Sequence, residues 1–258
     1  MKFSVITITR DSRRYLDEAM ESVLSQDWPD LEYILVDGGS TDGTLDLIRS
    51  RAARDPRVRW VSEPDEGISD AMNKGIRMAC GDIIAHLHSD DRYPAPDVLS
   101  RVAAAFEVHP EALWLTGGQY GIDEQGAPFQ EIRVRPYSYR KLVRCNCILH
   151  PATFVRSEGF RRAGLFDTGL KYAMDYDLWL RLGALGAPLL VDAPLACFRL
   201  HGGSLSTVET AQAFDEAFAV RKRAVGNRPV TVFFHYLYYL LKRVRNTRSV
   251  RRSRRGKG

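Results

Sequence analysis

The chain has 258 residues and a net charge of +5. Its length allows one sizeable α/β domain or two small ones. Its 45% hydrophobic and 27% charged residues are typical of a soluble globular protein. No run approaches the roughly 20 consecutive apolar residues of a transmembrane helix, and the chain starts with a strand-like segment instead of a signal-peptide core, so we expect no export. Four cysteines are too few for a disulfide framework at this length and favour a reducing cytoplasm.

Residues 1–115 alternate short β-rich apolar runs with stretches of helical periodicity. The apolar runs predict buried strands, and the stretches between them predict helices with one apolar face. The predicted strands cover residues 3–9, 31–36, 58–62 and 83–87. This alternation predicts a mostly parallel sheet wound as βαβ units, in which ligands bind beyond the carboxyl ends of the strands.

The pattern changes after residue 115. Residues 117–135 predict a hairpin or meander, and 175–185 predict a short helix. Because no flexible linker interrupts this part of the chain, we expect one domain over residues 1–220 and a separate C-terminal segment over residues 221–258.

The first polar cluster, Asp37-Gly-Gly-Ser-Thr-Asp-Gly-Thr, follows the second predicted strand. A carboxylate at a strand end can accept hydrogen bonds from a nucleotide base or a ribose hydroxyl, and adjacent glycines let a ligand approach the backbone. The alternative is a plain loop that leads into a helix capped by Ser40 or Thr41. The position of Asp37 at a strand end favours binding.

The second polar cluster, His88-Ser-Asp90-Asp91, follows the fourth predicted strand. Adjacent carboxylates repel each other unless a cation lies between them or one of them is protonated. Oxygen ligands suit Mg²⁺ or Mn²⁺, which typically also bind substrate phosphates. The alternative is a solvated turn, where paired aspartates are common.

Two further candidates lie in the second half of the chain. Asp175 is at the start of a predicted helix, where it is either an N-cap, which the spacing alone favours, or a base that takes a proton from an attacking hydroxyl. Arg199 and His201 follow a predicted strand beside two glycines, and these side chains can contact a diphosphate and a metal ion.

These segments together resemble the family 2 glycosyltransferases with a GT-A fold that act in bacterial O-antigen and exopolysaccharide assembly. The resemblance covers about residues 3–205 and rests on six segments in the family's order: VITITR at the first strand, DGGSTDGT, SEPDEGISDAMNKGI, GDIIAHLHSDD, HPATFVRS and GLFDTGLKYAMDYDLWLRL. It implies an α/β fold of GT-A type, with a mostly parallel Rossmann-like sheet and flanking helices. It also implies inverting, metal-dependent transfer of a sugar from a nucleotide-diphosphate donor, which we expect to be UDP-linked.

The resemblance implies a role for each candidate residue on the nucleotide side. Thr7 and Asp37 match nucleoside contacts, with Asp37 on the base. Asp65 and Asn73 match positions that line the nucleotide pocket in the family.

The resemblance also implies which residues bind the metal and the diphosphate and which one acts as the base. Asp90 and Asp91 match the Asp-x-Asp region that binds the ribose and the metal–diphosphate, with Mn²⁺ or Mg²⁺ as the cofactor. His201 is similar to a histidine that closes over the diphosphate and metal, and Arg199 is expected to stabilise the departing diphosphate. Asp175 matches the general base.

Two positions depart from the family's pattern. His88 replaces the first Asp or Asn of the usual Asp-x-Asp-Asp, which leaves open whether Asp90 or Asp91 is the main metal ligand. Met174 replaces an acidic residue before the base, and the loss of that neighbouring charge predicts a less basic Asp175.

The C-terminal segment combines an apolar run with a basic tail. Residues 242–258 contain nine of the chain's 37 Lys and Arg and no acid. A helix over residues 230–241 would cover about 18 Å, too short for a hydrocarbon core of roughly 30 Å. Its aromatic side chains suit a membrane interface, and the tail suits anionic headgroups. We therefore expect a peripheral enzyme on the inner face of the cell membrane, and by family analogy a lipid-linked glycan acceptor. The alternative is packing on the domain or on a second subunit, with a disordered tail.

Three other functions fit parts of the pattern. A sugar nucleotidyltransferase would also be an α/β protein with a metal, but the N-terminus lacks a Gly-rich triphosphate loop followed by Arg and Lys. A sugar-nucleotide-binding protein without transferase activity would share the donor contacts. A nucleic-acid-binding protein would explain the basic tail, but the rest of the chain has no such motif, so no nucleic-acid partner is expected.

Overall fold

The computed structural model describes residues 1–202 and 211–226. Its strands are β1 (Phe3–Thr9), β2 (Leu31–Asp37), β3 (Val58–Ser62), β4 (Ile83–His86), β5 (Trp114–Ile122), β6 (Pro128–Ile132), β7 (Thr153–Arg156) and β8 (Leu189–Arg199). Its helices are α1 (Arg13–Leu24), α2 (Thr44–Ala52), α3 (Ile68–Met78), α4 (Val98–Val108), α5 (Tyr139–Arg144), α6 (Ser157–Ala163), α7 (Met174–Leu185) and α8 (Ala211–Val225). A 3-10 turn over His150–Ala152 precedes β7.

The described strands form a mixed sheet in the order β3–β2–β1–β4–β7–β5–β6, and β8 also pairs with β5. Strands β1 to β4 are parallel, as the alternation predicts, and Thr9 lies beside Asp37 where β1 and β2 end. Strand β7 is antiparallel to β4 and β5, and β5 and β6 form the predicted hairpin. The parallel half therefore brings the ends of β1, β2 and β4 to one edge.

Helices cover both faces of the parallel half, which explains why its strands are continuous apolar runs. Val5 and Leu35 point into a core shared with α1 and α4, whereas Ile6 and Ile34 point into a second core shared with α3. Helix α3 approaches the sheet closely because Gly75 faces Ile6: a Cβ on Gly75 would lie 2.4 Å from Ile6 Cγ2.

Helix α8 extends past residue 220, where the sequence predicts the end of the domain. The helix continues without a break to Val225, and its Val220 is buried in the second core. Arg223, beyond the predicted boundary, forms an ion pair with Asp167 at 2.9 Å. The folded domain thus includes α8, and the rest of the predicted C-terminal segment, 227–258, lies outside the described residues. Within the described part of the chain, no helix has the length and hydrophobicity to cross a bilayer.

Candidate active site

A cleft of about 1200 Å³ opens at the ends of β1 and β4 and continues between α7 and α8. Its strand half is formed by residues that follow β1, β3 and β4, including Thr9, Asp65 and Asp90. Its helix half includes Asp175 of α7 and Phe214 of α8. Sites for one small ligand typically have roughly 300–1,000 Å³, so this cleft has room for two reactants.

Asp37 lies beneath the strand half and is fully buried. Its Oδ2 accepts hydrogen bonds from the backbone N–H of Gly39 (3.1 Å) and Ser40 (3.0 Å) and from the Ser62 hydroxyl (2.6 Å). Its Oδ1 accepts a hydrogen bond from the Ser40 hydroxyl. These bonds shape the turn after β2, so in this structure Asp37 holds the turn instead of lining the cleft.

Asp65 lies on the cleft wall above that turn. A Cβ on Gly38 would lie 2.4 Å from Asp65 Oδ2, so a larger residue at position 38 would displace the carboxylate from its present position. The structure thus places Asp65 on the cleft wall and Asp37 in the turn below it.

Thr7 requires a correction, because its side chain faces the core. Its hydroxyl donates to the carbonyl of Leu87 at 2.5 Å and accepts from the hydroxyl of Tyr33 at 2.9 Å. Thr9, two residues further along β1, lines the cleft instead. The Thr9 hydroxyl has no hydrogen-bond partner among the described residues.

Asn73 requires a similar correction. Its side-chain amide donates to the carbonyl of Phe166 and accepts from the N–H of Phe166, both at 2.9 Å. The buried amide is therefore occupied in tying α3 to the segment before α7. Asn73 therefore positions that segment and does not line the cleft.

Asp90 and His201 are in contact in the strand half. His201 Nε2 lies 2.9 Å from Asp90 Oδ2, and both side chains line the cleft. Their side chains are 20% and 27% exposed, for His201 and Asp90 respectively, so both are open to a ligand. The structure thus unites two predicted metal ligands that are 111 positions apart in the chain.

Asp91 occupies a different environment from Asp90. It is 1% exposed, and its Oδ1 accepts a hydrogen bond from the backbone N–H of Arg199 at 2.9 Å. Burial, together with the neighbouring charge of Asp90, raises the pKa of the Asp91 carboxyl. Of the two aspartates, Asp90 faces the cleft, whereas Asp91 fixes the end of β8.

Arg199 is the largest departure from the predicted site. Its guanidinium donates to the carbonyls of Asp90 (2.8 Å), Asp123 (3.0 Å) and Glu124 (3.2 Å) and pairs with the carboxylate of Glu18. The side chain is 1% exposed, so it does not reach a diphosphate in the cleft. Arg199 instead joins α1, the loop after β4 and the β5–β6 turn.

The residues of the strand half fit a metal ion that takes most of its ligands from the substrate. No group of three or more His, Cys, Asp or Glu in the described part of the chain has the arrangement of a complete metal site. Asp90 and His201 offer two ligands, and the buried Oδ2 of the neighbouring residue Asp91 has no hydrogen-bond partner among the described residues. Mg²⁺ commonly binds through one or two carboxylates together with substrate phosphates, which this arrangement allows.

Asp175 is the second residue of α7, and Ala173 holds the N-cap position, so the interpretation of Asp175 as a cap is wrong. Its Oδ1 accepts from the N–H of Tyr176 at 2.6 Å, and its Oδ2 accepts from the side-chain amide of Asn146 at 3.1 Å. Burial raises the pKa of Asp175 above the ordinary value of an aspartate. A higher pKa makes this carboxylate a stronger base.

Sequence reasoning misses Asn146 and His150 as cleft residues. Asn146 lies in an irregular loop that no periodic pattern marks. The His150 ring lies 5.3 Å from the His88 ring and 5.8 Å from that of His86. Burial lowers the pKa of all three, to about 3 for His86, so these rings are neutral at pH 7 and add no charge beside Asp90.

The sequence of the chain is similar to those of known glycosyltransferases. The family model for glycosyl transferase family 2 matches residues 4–169. An uncharacterised glycosyltransferase of Mycobacterium tuberculosis is 32% identical over 206 residues, which cover 77% of this chain and 75% of the relative. Chondroitin synthase of Escherichia coli is 29% identical over 173 residues, which cover 67% of this chain but only 25% of the synthase.

Solved structures give the same fold. TarS of Staphylococcus aureus, in complex with UDP-GlcNAc, superposes with a TM-score of 0.73 at 20% identity over 88% of this chain and 67% of TarS. A mannosyltransferase from Pyrobaculum calidifontis, in complex with GDP-Man and Mn²⁺, superposes with a TM-score of 0.68 at 21% identity over 92% of this chain and 69% of its own. These similarities confirm the predicted GT-A fold.

Proposed function

Since the chain belongs to glycosyl transferase family 2, we propose that it moves a sugar from a UDP-linked donor to a hydroxyl of an acceptor glycan in cell-surface polysaccharide assembly. The observation that carries the proposal is one cleft that contains both Asp175 and the Asp90–His201 pair. An inverting transfer needs a base for the acceptor and a means to neutralise the leaving diphosphate, and the cleft offers a carboxylate for the first and ligands for a divalent cation for the second. The UDP and UDP-GlcNAc complexes of TarS support the choice of a uridine nucleotide.

The donor occupies the strand half in this proposal. Thr9 and Asp65 offer oxygen atoms at the cleft wall, where ribose hydroxyls can donate to them. Asp37 supports the turn beneath the nucleotide base. It contacts that base directly if the hydrogen bond from the Ser40 hydroxyl to Oδ1 breaks. Asp90 and His201 then lie at the diphosphate end.

A divalent cation, Mn²⁺ or Mg²⁺, would be held by Asp90 and His201, and when bound it neutralises negative charge on the leaving diphosphate. The backbone next to this pair is fixed by two hydrogen bonds: the N–H of Arg199 donates to the Asp91 carboxylate, and the guanidinium of Arg199 donates to the carbonyl of Asp90. The Mn²⁺ in the Pyrobaculum calidifontis complex supports a metal of this kind.

The acceptor occupies the helix half. Asp175 takes the proton of the acceptor hydroxyl while that oxygen attacks the anomeric carbon, and the bond from this carbon to the diphosphate breaks. A single displacement of this kind inverts the configuration at the carbon. Asn146 holds the carboxylate by its hydrogen bond to Oδ2, and the buried setting keeps the base poorly solvated, with its pKa raised.

We infer a lipid-linked acceptor from the apolar character of the helix half. Its lining includes Ile148, Leu149, Met174, Phe214 and Ala217 close to Asp175. Such a surface suits an acceptor whose sugar is attached to an apolar group. Together with the basic C-terminal tail, it supports action at the cytoplasmic face of the cell membrane.

Turnover of a panel of UDP-sugars with Mn²⁺ and octyl glycoside acceptors tests the proposed function. We expect UDP release with at least one donor, and an inverted linkage in the product. Release of pyrophosphate from UTP and a sugar phosphate would identify a nucleotidyltransferase instead. Tight donor binding, measured as a rise in thermal stability, without turnover by any acceptor would identify a binding protein.

A further inference from the structure

The family model matches residues 4–169, and helix α8 lies beyond that range. Helix α8 contacts residues 171–173, which directly precede the helix that carries the proposed base, Asp175. Glu216 of α8 accepts hydrogen bonds at one oxygen, Oε2, from three consecutive backbone N–H groups, those of Lys171 (3.1 Å), Tyr172 (2.7 Å) and Ala173 (3.1 Å). Asp175 follows two residues later, in the first turn of α7.

The same helix contacts the other segment that holds the base. The guanidinium of Arg221 donates to the carbonyl of Arg144 at 3.1 Å, at the end of α5. Two residues further along the chain, Asn146 donates its hydrogen bond to Asp175. Glu216 and Arg221 are thus anchored to the two segments from which Asp175 and its partner Asn146 project.

The Glu216 contact has a clear electrostatic basis. Ala173 is the N-cap residue of α7, and its N–H, like the other free N–H groups at a helix start, has no partner within the helix and carries partial positive charge, so a carboxylate is favoured there. Lys171 and Tyr172 precede the helix, and their N–H groups donate to the same oxygen. Hydrogen bonds from N–H groups to an ionised carboxylate are also stronger than those between neutral groups. One side chain therefore fixes three consecutive peptide units directly before the base.

We propose that Glu216 is a positioning residue for catalysis: it holds residues 171–173 and thereby sets the direction of the Asp175 carboxylate toward the acceptor. This inference rests on the proposed role of Asp175 as the base. The physical reason is that a displacement of about 1 Å in a reacting group can reduce the rate roughly 100-fold. The donor binds in the other half of the cleft and does not depend on Glu216.

Three variants separate positioning from the general attachment of α8. Glu216→Ala removes the acceptor oxygen, whereas Glu216→Gln keeps an oxygen and removes only the charge. Arg223→Ala is the matched control, since it breaks the ion pairs of α8 with Asp167 (2.9 Å) and Asp177 (3.7 Å) without touching residues 171–173, and Asp177 keeps its ion pair with Arg181. Amide hydrogen exchange at residues 171–173, kcat and KM for the UDP-sugar with the highest turnover, and calorimetric affinity for UDP are measured for each.

We expect Glu216→Ala to accelerate exchange at residues 171–173 and to lower kcat about 10- to 100-fold, with donor KM and UDP affinity within twofold of wild type. Glu216→Gln, which keeps the acceptor oxygen but not the charge, should fall between Glu216→Ala and wild type, and Arg223→Ala should match wild type. Fast exchange with an unchanged kcat, or an equal loss of kcat in Arg223→Ala, would overturn the proposal. Normal turnover in Asp175→Asn would instead refute the proposed function, and that variant is measured in parallel.

Discussion

Asn146 donates its side-chain amide to Oδ2 of Asp175 at 3.1 Å, which joins the loop after α5 to the first turn of α7. A hydrogen bond to the charged form lowers the pKa of a carboxyl, so Asn146→Ala should raise the pKa of Asp175 above its already elevated position. Because only the deprotonated carboxylate acts as a base, the acid limb of the kcat profile should move to higher pH. Asn146→Asp, which adds a like charge, should move it further. A profile that stays in place in both variants would show that the contact does not control the base.

Replacement of the base itself gives the largest expected effect. Asp175→Asn keeps the size of the side chain and an oxygen for the N–H of Tyr176, but it cannot take a proton. We expect kcat to fall roughly 10²–10⁴-fold while UDP binding survives. The control is Asp192→Asn, an exposed carboxylate on β8, which should leave turnover unchanged. A folded Asp175→Asn enzyme with wild-type turnover would contradict the assignment.

The metal prediction distinguishes the two adjacent aspartates. Activity should be lost in EDTA and restored by Mn²⁺ or Mg²⁺. Asp90→Ala should weaken activation by Mn²⁺ more than Asp91→Asn does, because Asp90 lines the cleft and Asp91 is buried against Arg199. A titration of turnover against Mn²⁺ concentration measures the difference. Full activity in chelator would exclude the metal, and a larger defect in Asp91→Asn would reverse the assignment.

The buried histidines predict acid-sensitive stability. Burial lowers the pKa of His86 to about 3, so the unfolded state binds its proton at a higher pH than the folded state does. Stability is therefore fully present above the unfolded pKa of about 6.5 and decreases as the pH falls below it, by at most about 1.4 kcal/mol per pH unit for each such group. Urea unfolding from pH 7 to pH 4 should show this slope, and His86→Phe should reduce it. His109→Gln, at an exposed histidine, should leave the slope unchanged.

The C-terminal tail gives a prediction outside the described residues. Full-length protein should sediment with vesicles of phosphatidylglycerol and phosphatidylcholine at low salt, but not with phosphatidylcholine alone. A chain that ends at residue 226 should stay in the supernatant with both and should keep its affinity for UDP, because α8 is retained. Full-length protein that stays in the supernatant with anionic vesicles would refute membrane docking.

The sequence predicts the parallel half of the fold well, because that half depends on local patterns, and it places Asp90 at the edge of the sheet that borders the cleft. Asp90 follows a short apolar strand, and such a strand in a βαβ unit ends at the ligand edge. Thr7 and Thr9 show the limit of this reasoning: both lie on β1, and only the packing of Tyr33 and Leu87 decides that Thr7 is buried.

The remaining errors arise from contacts distant in sequence. Arg199 pairs with Glu18, 181 positions away, and no local pattern shows that its charge is used inside the protein. Asn146 is in an irregular loop, and only tertiary structure places it beside Asp175. The hydrogen bond from the N–H of Ala173, the N-cap residue of α7, cannot be found from local sequence either, because its acceptor, Glu216, lies on a different helix.

The enclosed guanidinium of Arg199 has a consequence for how the donor binds. It fixes the carbonyl of Asp90 and the β5–β6 turn, and α1 through Glu18, before any ligand is present. The conformational entropy of ordering this region is therefore lost during folding and not again at each encounter with a nucleotide. In the proposed function, the donor therefore meets a preorganised surface beside Asp90.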